Sequence, residues 1–292
     1  QAFSIGDAPD ELEVINFHDV CSGELHQVPS VLVNHHYLDK GLTDSGMGAT
    51  KFENFLSRYV TTSGTAFGLV QEDAYLHALN ETIERHETSK LFLAMSNVDR
   101  SDDYFNRLDG DSLPEYIKTL IARLKSRFGA ESIEVILAKT PFNTWWSICI
   151  ARFQNDDIYE LPQWGAGSSF LYDLSIYRSI SECFQMLDNF EVENLAADKK
   201  LIKFVERFPK FKAIPYFDLS SLDLREVAYE RANNAVSTPV EKQIQSITSA
   251  MKLRGHIPLK HVAYAGKNSA LVCAYTPTFE RFYNLSKSTP VL

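Results

Sequence analysis

Residues 63–85 read Ser63-Gly-Thr-Ala-Phe-Gly68-Leu-Val-Gln-Glu-Asp-Ala-Tyr-Leu-His77-Ala-Leu-Asn-Glu81-Thr-Ile-Glu84-Arg85, a run of small residues followed by an unbroken helical pattern. Leu76, Leu79 and Ile83 recur at spacings of three and four, which predicts a helix over 72–89. His77, Glu81, Glu84 and Arg85 stand at i, i+4, i+7 and i+8. With 3.6 residues to a turn, the first three fall in one polar stripe, well away from the Leu76, Leu79, Ile83 face. Two readings fit such a stripe: the solvated side of an amphipathic surface helix, or a row of hard oxygen donors for a cation.

The pattern recurs further along the chain. Arg178, Glu182 and Gln185 repeat the i, i+4, i+7 spacing on a helix expected over 173–187, with Ile176, Ile180, Phe184 and Leu187 on its apolar side. A stretch of small residues precedes each helix, Gly64-Thr-Ala-Phe-Gly68 within a loop from Thr62 in one case and Gly165-Ala-Gly167 in the other, and both are expected as loops. Glycine lets main-chain N–H groups approach a phosphate, a helix N-terminus favours negative charge, and carboxylates hold the magnesium that neutralises phosphates. Two loop-then-helix units with matched polar spacing therefore cohere as a nucleotide site. It is not a P-loop, because no G-x-x-x-x-G-K-[ST] occurs.

Outward from these helices, 12–17 and 28–33 read as strands around a turn at Cys21–Glu24. A polar, glycine-containing stretch follows at 43–50. Pro114–Phe128 is a second helix, with Ile117, Leu120, Ile121 and Leu124 as its apolar stripe. The β-branched and aromatic runs 132–139 and 144–152, separated by Thr140-Pro-Phe-Asn143, suggest paired strands. The Lys-rich 191–212 reads as a peripheral helix and loop with a solvated face. A helix over 240–253 is closed by Gly255, and 269–275 is a last strand. Strands alternate with helices without low-complexity linkers, so residues 1–292 are expected to form one mixed α/β body.

With 292 residues, 45% of them hydrophobic, the chain can bury a large core. A net charge of -9 argues against a partner bound through a nucleic-acid backbone. No run approaches the apolar length of a membrane span, and no signal peptide is expected. Cys21, Cys149, Cys183 and Cys273 lie far apart without zinc-site spacing, so reduced structural thiols and a cytoplasmic location are expected. No Ser/His/Asp or Cys/His pattern calls for covalent catalysis, and Ser63 reads as a turn residue rather than a nucleophile.

These residues resemble the YcaO family, whose ATP-binding helices carry motifs of the type S-x-x-x-E-x-x-E-R and E-x-x-Q. His77 with Glu81, Glu84 and Arg85 is similar to the first, and Glu182 with Gln185 to the second. Asp19-Val-Cys-Ser-Gly-Glu24 with Val28-Pro29, and Leu253-Arg-Gly255 through Pro277-Thr-Phe-Glu280, resemble the family's opening and closing segments. The resemblance implies β-sheets flanked by helices around a nucleotide cavity. It also implies that His77, Glu81, Glu84, Arg85, Arg178, Glu182 and Gln185 contact ATP directly or through Mg2+, with Glu81, Glu84 and Glu182 as metal ligands. The implied activity is ATP-dependent activation of a backbone amide in a ribosomally made precursor peptide. Its product is an azoline from Cys, Ser or Thr or, with a sulfur donor, a thioamide; a non-catalytic scaffold is the third possibility. A leader-binding partner protein or subunit is implied, and a homo-oligomer stays open.

The chain departs from the family pattern at Ser63, Leu69, His86, Ser169 and Leu187. Family members carry a further acidic helix ahead of the segment matching Asp19–Glu24. Nothing before Asp19 supplies it, so the expectation is of a partial family body that does not catalyse alone.

Overall fold

The computed structural model describes residues 13–33, 59, 61, 63–98, 104–154, 159–230 and 238–282. The polar stretch 43–50 lies outside the described residues, as do Leu12 and Thr62.

Two five-stranded sheets carry the fold. The first contains β1 (Val14–Asp19), β2 (Leu25–Pro29), β3 (Thr65–Gly68), β9 (Leu259–Ala265) and β10 (Ala270–Tyr275) in the order β2-β1-β9-β10-β3, all antiparallel. The second contains β4 (Phe105–Leu108), β5 (Ser132–Lys139), β6 (Trp145–Arg152), β7 (Gln163–Ser169) and β8 (Arg225–Val227) in the order β7-β6-β5-β4-β8, antiparallel except for β4 with β8. Five helices flank them among the described residues: α1 (Gln71–Met95), α2 (Glu115–Phe128), α3 (Tyr172–Asp188), α4 (Val192–Val205) and α5 (Val240–Leu253).

The second sheet is covered on both faces, which explains why β6 has no polar alternation. Trp146, Ile148 and Ile150 face a core shared with Phe92, Leu201, Val205 and Phe217, while Cys149 and Ala151 face the other, built from α2 and α3. The first sheet packs Ala66, Val272 and Ala274 against Ala78, Leu79 and Ile83 of α1 and Ile247 and Met251 of α5. Helix α1 therefore serves both sheets, its N-terminal half lying in the first core and Leu91, Phe92 and Met95 in the second.

Four expectations need correcting. Helix α1 is not a surface helix, and it runs to Met95 because Leu91–Met95 continue an apolar pattern that the second sheet buries. Gly165-Ala-Gly167 is a strand within β7 rather than a loop: a Cβ on Gly165 would lie 2.1 Å from the Cys183 nitrogen, and one on Gly167 would lie 2.4 Å from the Ser175 oxygen. These glycines exist so that α3 can lie directly on β7. Thr65–Gly68 is likewise the strand β3, and only Gly64, at φ 86, takes a backbone that L side chains avoid. The Lys-rich 191–212 is not merely peripheral, since Leu201, Val205 and Phe211 are core residues.

Candidate functional site

The polar stripes of α1 and α3 face each other. His77, Glu81, Glu84, Arg85, Arg178, Glu182 and Gln185 all line one cavity of about 540 Å3, joined by Leu174, Tyr177, Ser181 and Ala166. All seven residues singled out by helical spacing are brought together, across α3, which lies on the second sheet, and α1, which packs on both. Leu174, Tyr177 and Ser181 were not anticipated, although they lie on the same face of α3 as Arg178 and Glu182.

Main-chain groups hold two of the carboxylates. Gly64 N–H donates to Glu81 Oε2 at 3.1 Å, and Ala166 N–H donates to Glu182 Oε2 at 2.9 Å. The small-residue segments thus do supply N–H groups to the site, but to carboxylates. Arg85 lies between the helices, its Nη2 3.7 Å from Glu84 Oε1 and 3.8 Å from Glu182 Oε1. Arg178 Nη2 meets His77 Nε2 at 3.1 Å.

The electrostatics follow from burial. Glu84 is only 3% exposed. Burial, reinforced by the Glu84 charge, pushes the Glu182 carboxyl up to about 7 against the pull of Arg85 and the Ala166 N–H. Burial likewise raises Glu81, opposed by Arg85 and the Gly64 N–H. Burial lowers His77, and the adjacent Arg178 lowers it further, so the imidazole stays neutral near pH 7 and can accept from the guanidinium.

His86, one of the departures from the family pattern, points away from the cavity. Its ring stacks on Phe279 at 4.3 Å and its Nδ1 accepts the Glu280 N–H at 2.9 Å. Burial pushes it down to about 3, so a neutral imidazole ties the C-terminal segment to α1. No group of three His, Cys, Asp or Glu side chains among the described residues converges as a ready-made cation site, because Arg85 stands between Glu84 and Glu182. The donor set nevertheless suits a hard divalent cation. It offers carboxylate oxygens, two of them oriented by N–H groups, in a cleft where burial makes unshared negative charge costly.

Residues 2–263 match the family model of the YcaO cyclodehydratases, described as ATP- and Mg2+-binding, and the chain belongs to that family. No curated protein matches closely enough to count as a relative. Among solved structures, a YcaO from Methanopyrus kandleri bound with AMPPCP and Mg2+ superposes with a TM-score of 0.64 at 15% identity, covering 94% of this chain and 66% of that one. A heterocyclase in complex with substrate and cofactor gives 0.63 at 15% identity, over 92% and 33%. The E. coli microcin synthetase McbBCD complex with pro-MccB17 bound gives 0.56 at 14% identity, over 92% and 64%. These likenesses establish the fold, and the chain spans 66% or less of the length of each of the three. Among the described residues, no helix is long and apolar enough to cross a membrane.

Proposed function

We propose that this chain binds ATP with Mg2+ in the cavity between α1 and α3 and uses it to activate a peptide backbone amide, closing Cys, Ser or Thr side chains into azolines. The reading is carried by one observation: the six residues of the two family motifs, far apart in sequence, line a single cavity together with Arg178. Glu81, Glu84 and Glu182 would hold the magnesium, and Arg85 and Arg178 would face phosphate oxygens.

Bound MgATP supplies the phosphoryl group that turns the amide oxygen into a leaving group once the side-chain nucleophile has added to the carbonyl. The protein's share is positioning and charge neutralisation. Gly64 and Ala166 fix the carboxylates, Arg85 keeps Glu84 and Glu182 from repelling each other apart, and neutral His77 aims Arg178. A leader-binding partner is part of this reading, and what supports it is that one structural neighbour is a multi-subunit complex with its peptide bound, McbBCD with pro-MccB17.

The test combines the chain with ATP, Mg2+ and a Cys/Ser/Thr-bearing precursor peptide, with and without a leader-binding subunit, and follows phosphate release together with peptide mass. Loss of one water per phosphate released is the expected result. Exchange of oxygen for sulfur when sulfide is supplied would identify the thioamide chemistry instead. Nucleotide binding without any change in the peptide under either condition would favour the scaffold.

A further inference from the structure

A second cavity, of about 310 Å3, lies behind the first and shares its Arg85 and Glu182 wall. Its character differs. Phe92, Trp164 and Phe217 form an aromatic cluster there, with ring centroids 5.6–6.1 Å apart. Beside them is Asp198 of α4, whose carboxylate is hydrogen-bonded by Gln163 while its buried Oδ2 has no hydrogen-bond partner among the described residues.

The cavity wall is also strained. Phe217 has φ 46, a left-handed backbone that bulky residues rarely adopt. Arg152 holds it there, donating to the carbonyls of Tyr216 at 2.9 Å and Phe217 at 2.8 Å. A buried acceptor left open and a strained aromatic clamped in place are what a preformed pocket for an amide-bearing, partly apolar ligand presents.

We propose that this second cavity seats the substrate peptide. An apolar side chain flanking the activated amide packs on Phe92, Trp164 and Phe217, and a main-chain N–H of the same segment donates to Asp198 Oδ2. The inference rests on the larger cavity being the nucleotide site, which is roomy enough for a whole nucleotide and offers Tyr177 to its base. An amide that receives a phosphoryl group must reach the phosphates from the side the nucleotide leaves free. The second cavity meets that requirement at the Arg85–Glu182 wall. It also assigns a preference: an apolar residue beside the cyclised one, because a carboxylate there would be buried among aromatic rings next to Asp198.

The test uses capped peptides Ac-Gly-X-Cys-Gly-Gly-NH2 with X as Phe, Leu or Asp. Saturation-transfer NMR measures their binding to the protein loaded with Mg2+ and a non-hydrolysable ATP analogue. Nucleotide affinity is measured separately by fluorescence titration. Ala197 lies exposed at the cavity rim, so Ala197→Trp closes the mouth without touching the core, and Asp198→Asn is the second variant. The expected result is binding of the Phe and Leu peptides but not the Asp peptide. Each variant should weaken it by about tenfold while nucleotide affinity stays within about twofold of the unaltered protein. A protein that binds nucleotide yet saturates none of the peptides would overturn the peptide pocket and leave the nucleotide site standing. Weakened nucleotide binding in Ala197→Trp would also overturn it, assigning the cavity to the base. Failure of the unaltered protein to bind nucleotide would remove the footing of both readings.

Discussion

Replacing Glu182 by Gln should make the ligand-free protein more stable at about pH 8 and leave it unchanged at about pH 4. In the folded state burial and the Glu84 charge hold the Glu182 carboxyl up at about 7, above the ordinary 4.5. The folded protein therefore binds this proton more tightly than the unfolded chain does. The penalty of ionising the group is absent below about pH 4.5, grows between about 4.5 and 7, and is complete above 7. A pKa moved from 4.5 to about 7 corresponds to an upper bound of roughly 3 kcal/mol. The side chain is 32% exposed and Arg85 stands 3.8 Å away, so solvent screening reduces this to about 1–2 kcal/mol. Glutamine keeps an oxygen for the Ala166 N–H, so the strand contact survives. Thermal unfolding followed by circular dichroism, at both pH values and without nucleotide, should show a rise in Tm of roughly 2–8 °C at pH 8 only. Adding MgATP should then stabilise the unaltered protein and not the variant. A variant that is less stable at pH 8, or a difference that does not change with pH, would refute the reasoning.

Three further outcomes follow from the same geometry. Glu84→Gln should lower Mg2+-dependent ATP consumption by on the order of 10–100-fold while far-UV circular dichroism stays native; unchanged turnover would return the stripe to a structural role. His77→Ala and Arg178→Ala should each weaken nucleotide binding and couple by roughly 0.5–3 kcal/mol in a double-mutant cycle read by calorimetry, and strict additivity would deny them a shared ligand. Gly165→Ala should destabilise by about 1–3 kcal/mol or more in denaturant titration, because its methyl would strike the α3 backbone at Cys183 and Glu182; a neutral result would mean that the helix can lift off the strand.

The helices were legible because both carry apolar stripes broken by nothing stronger than a cap, and the site was legible because its residues lie on those helices at spacings of one and two turns. The glycines were misread for a physical reason. A missing side chain signals close approach, but not of what, and at Gly165 and Gly167 the approaching group is a helix backbone rather than a phosphate. The strands β4, β8 and β9 left little pattern. β4 and β8 have only four and three residues, and their parallel pairing joins positions far apart in the chain. Charge disguised the buried face of α4, whose lysines surround the core residues Leu201 and Val205. The second cavity was invisible in the sequence, because its aromatic residues come from α1, β7 and the turn after the 3-10 helix Pro209–Phe211, with no common period.

The anchoring of Glu81 and Glu182 has a mechanical side. Gly64, which holds the first, is tied to β10 by the Ala274 N–H at 2.6 Å; Ala166, which holds the second, belongs to β7 of the other sheet. A ligand gripping both carboxylates is therefore a strut across the seam between the sheets, and its tightness reports how far apart they stand. At about a hundred times its Kd such a strut adds ~2.7 kcal/mol to the assembled state. By reciprocity, anything that spreads or closes the seam, including a partner protein seated far from the carboxylates, tunes the grip on the ligand by the same free energy with which the ligand tunes it.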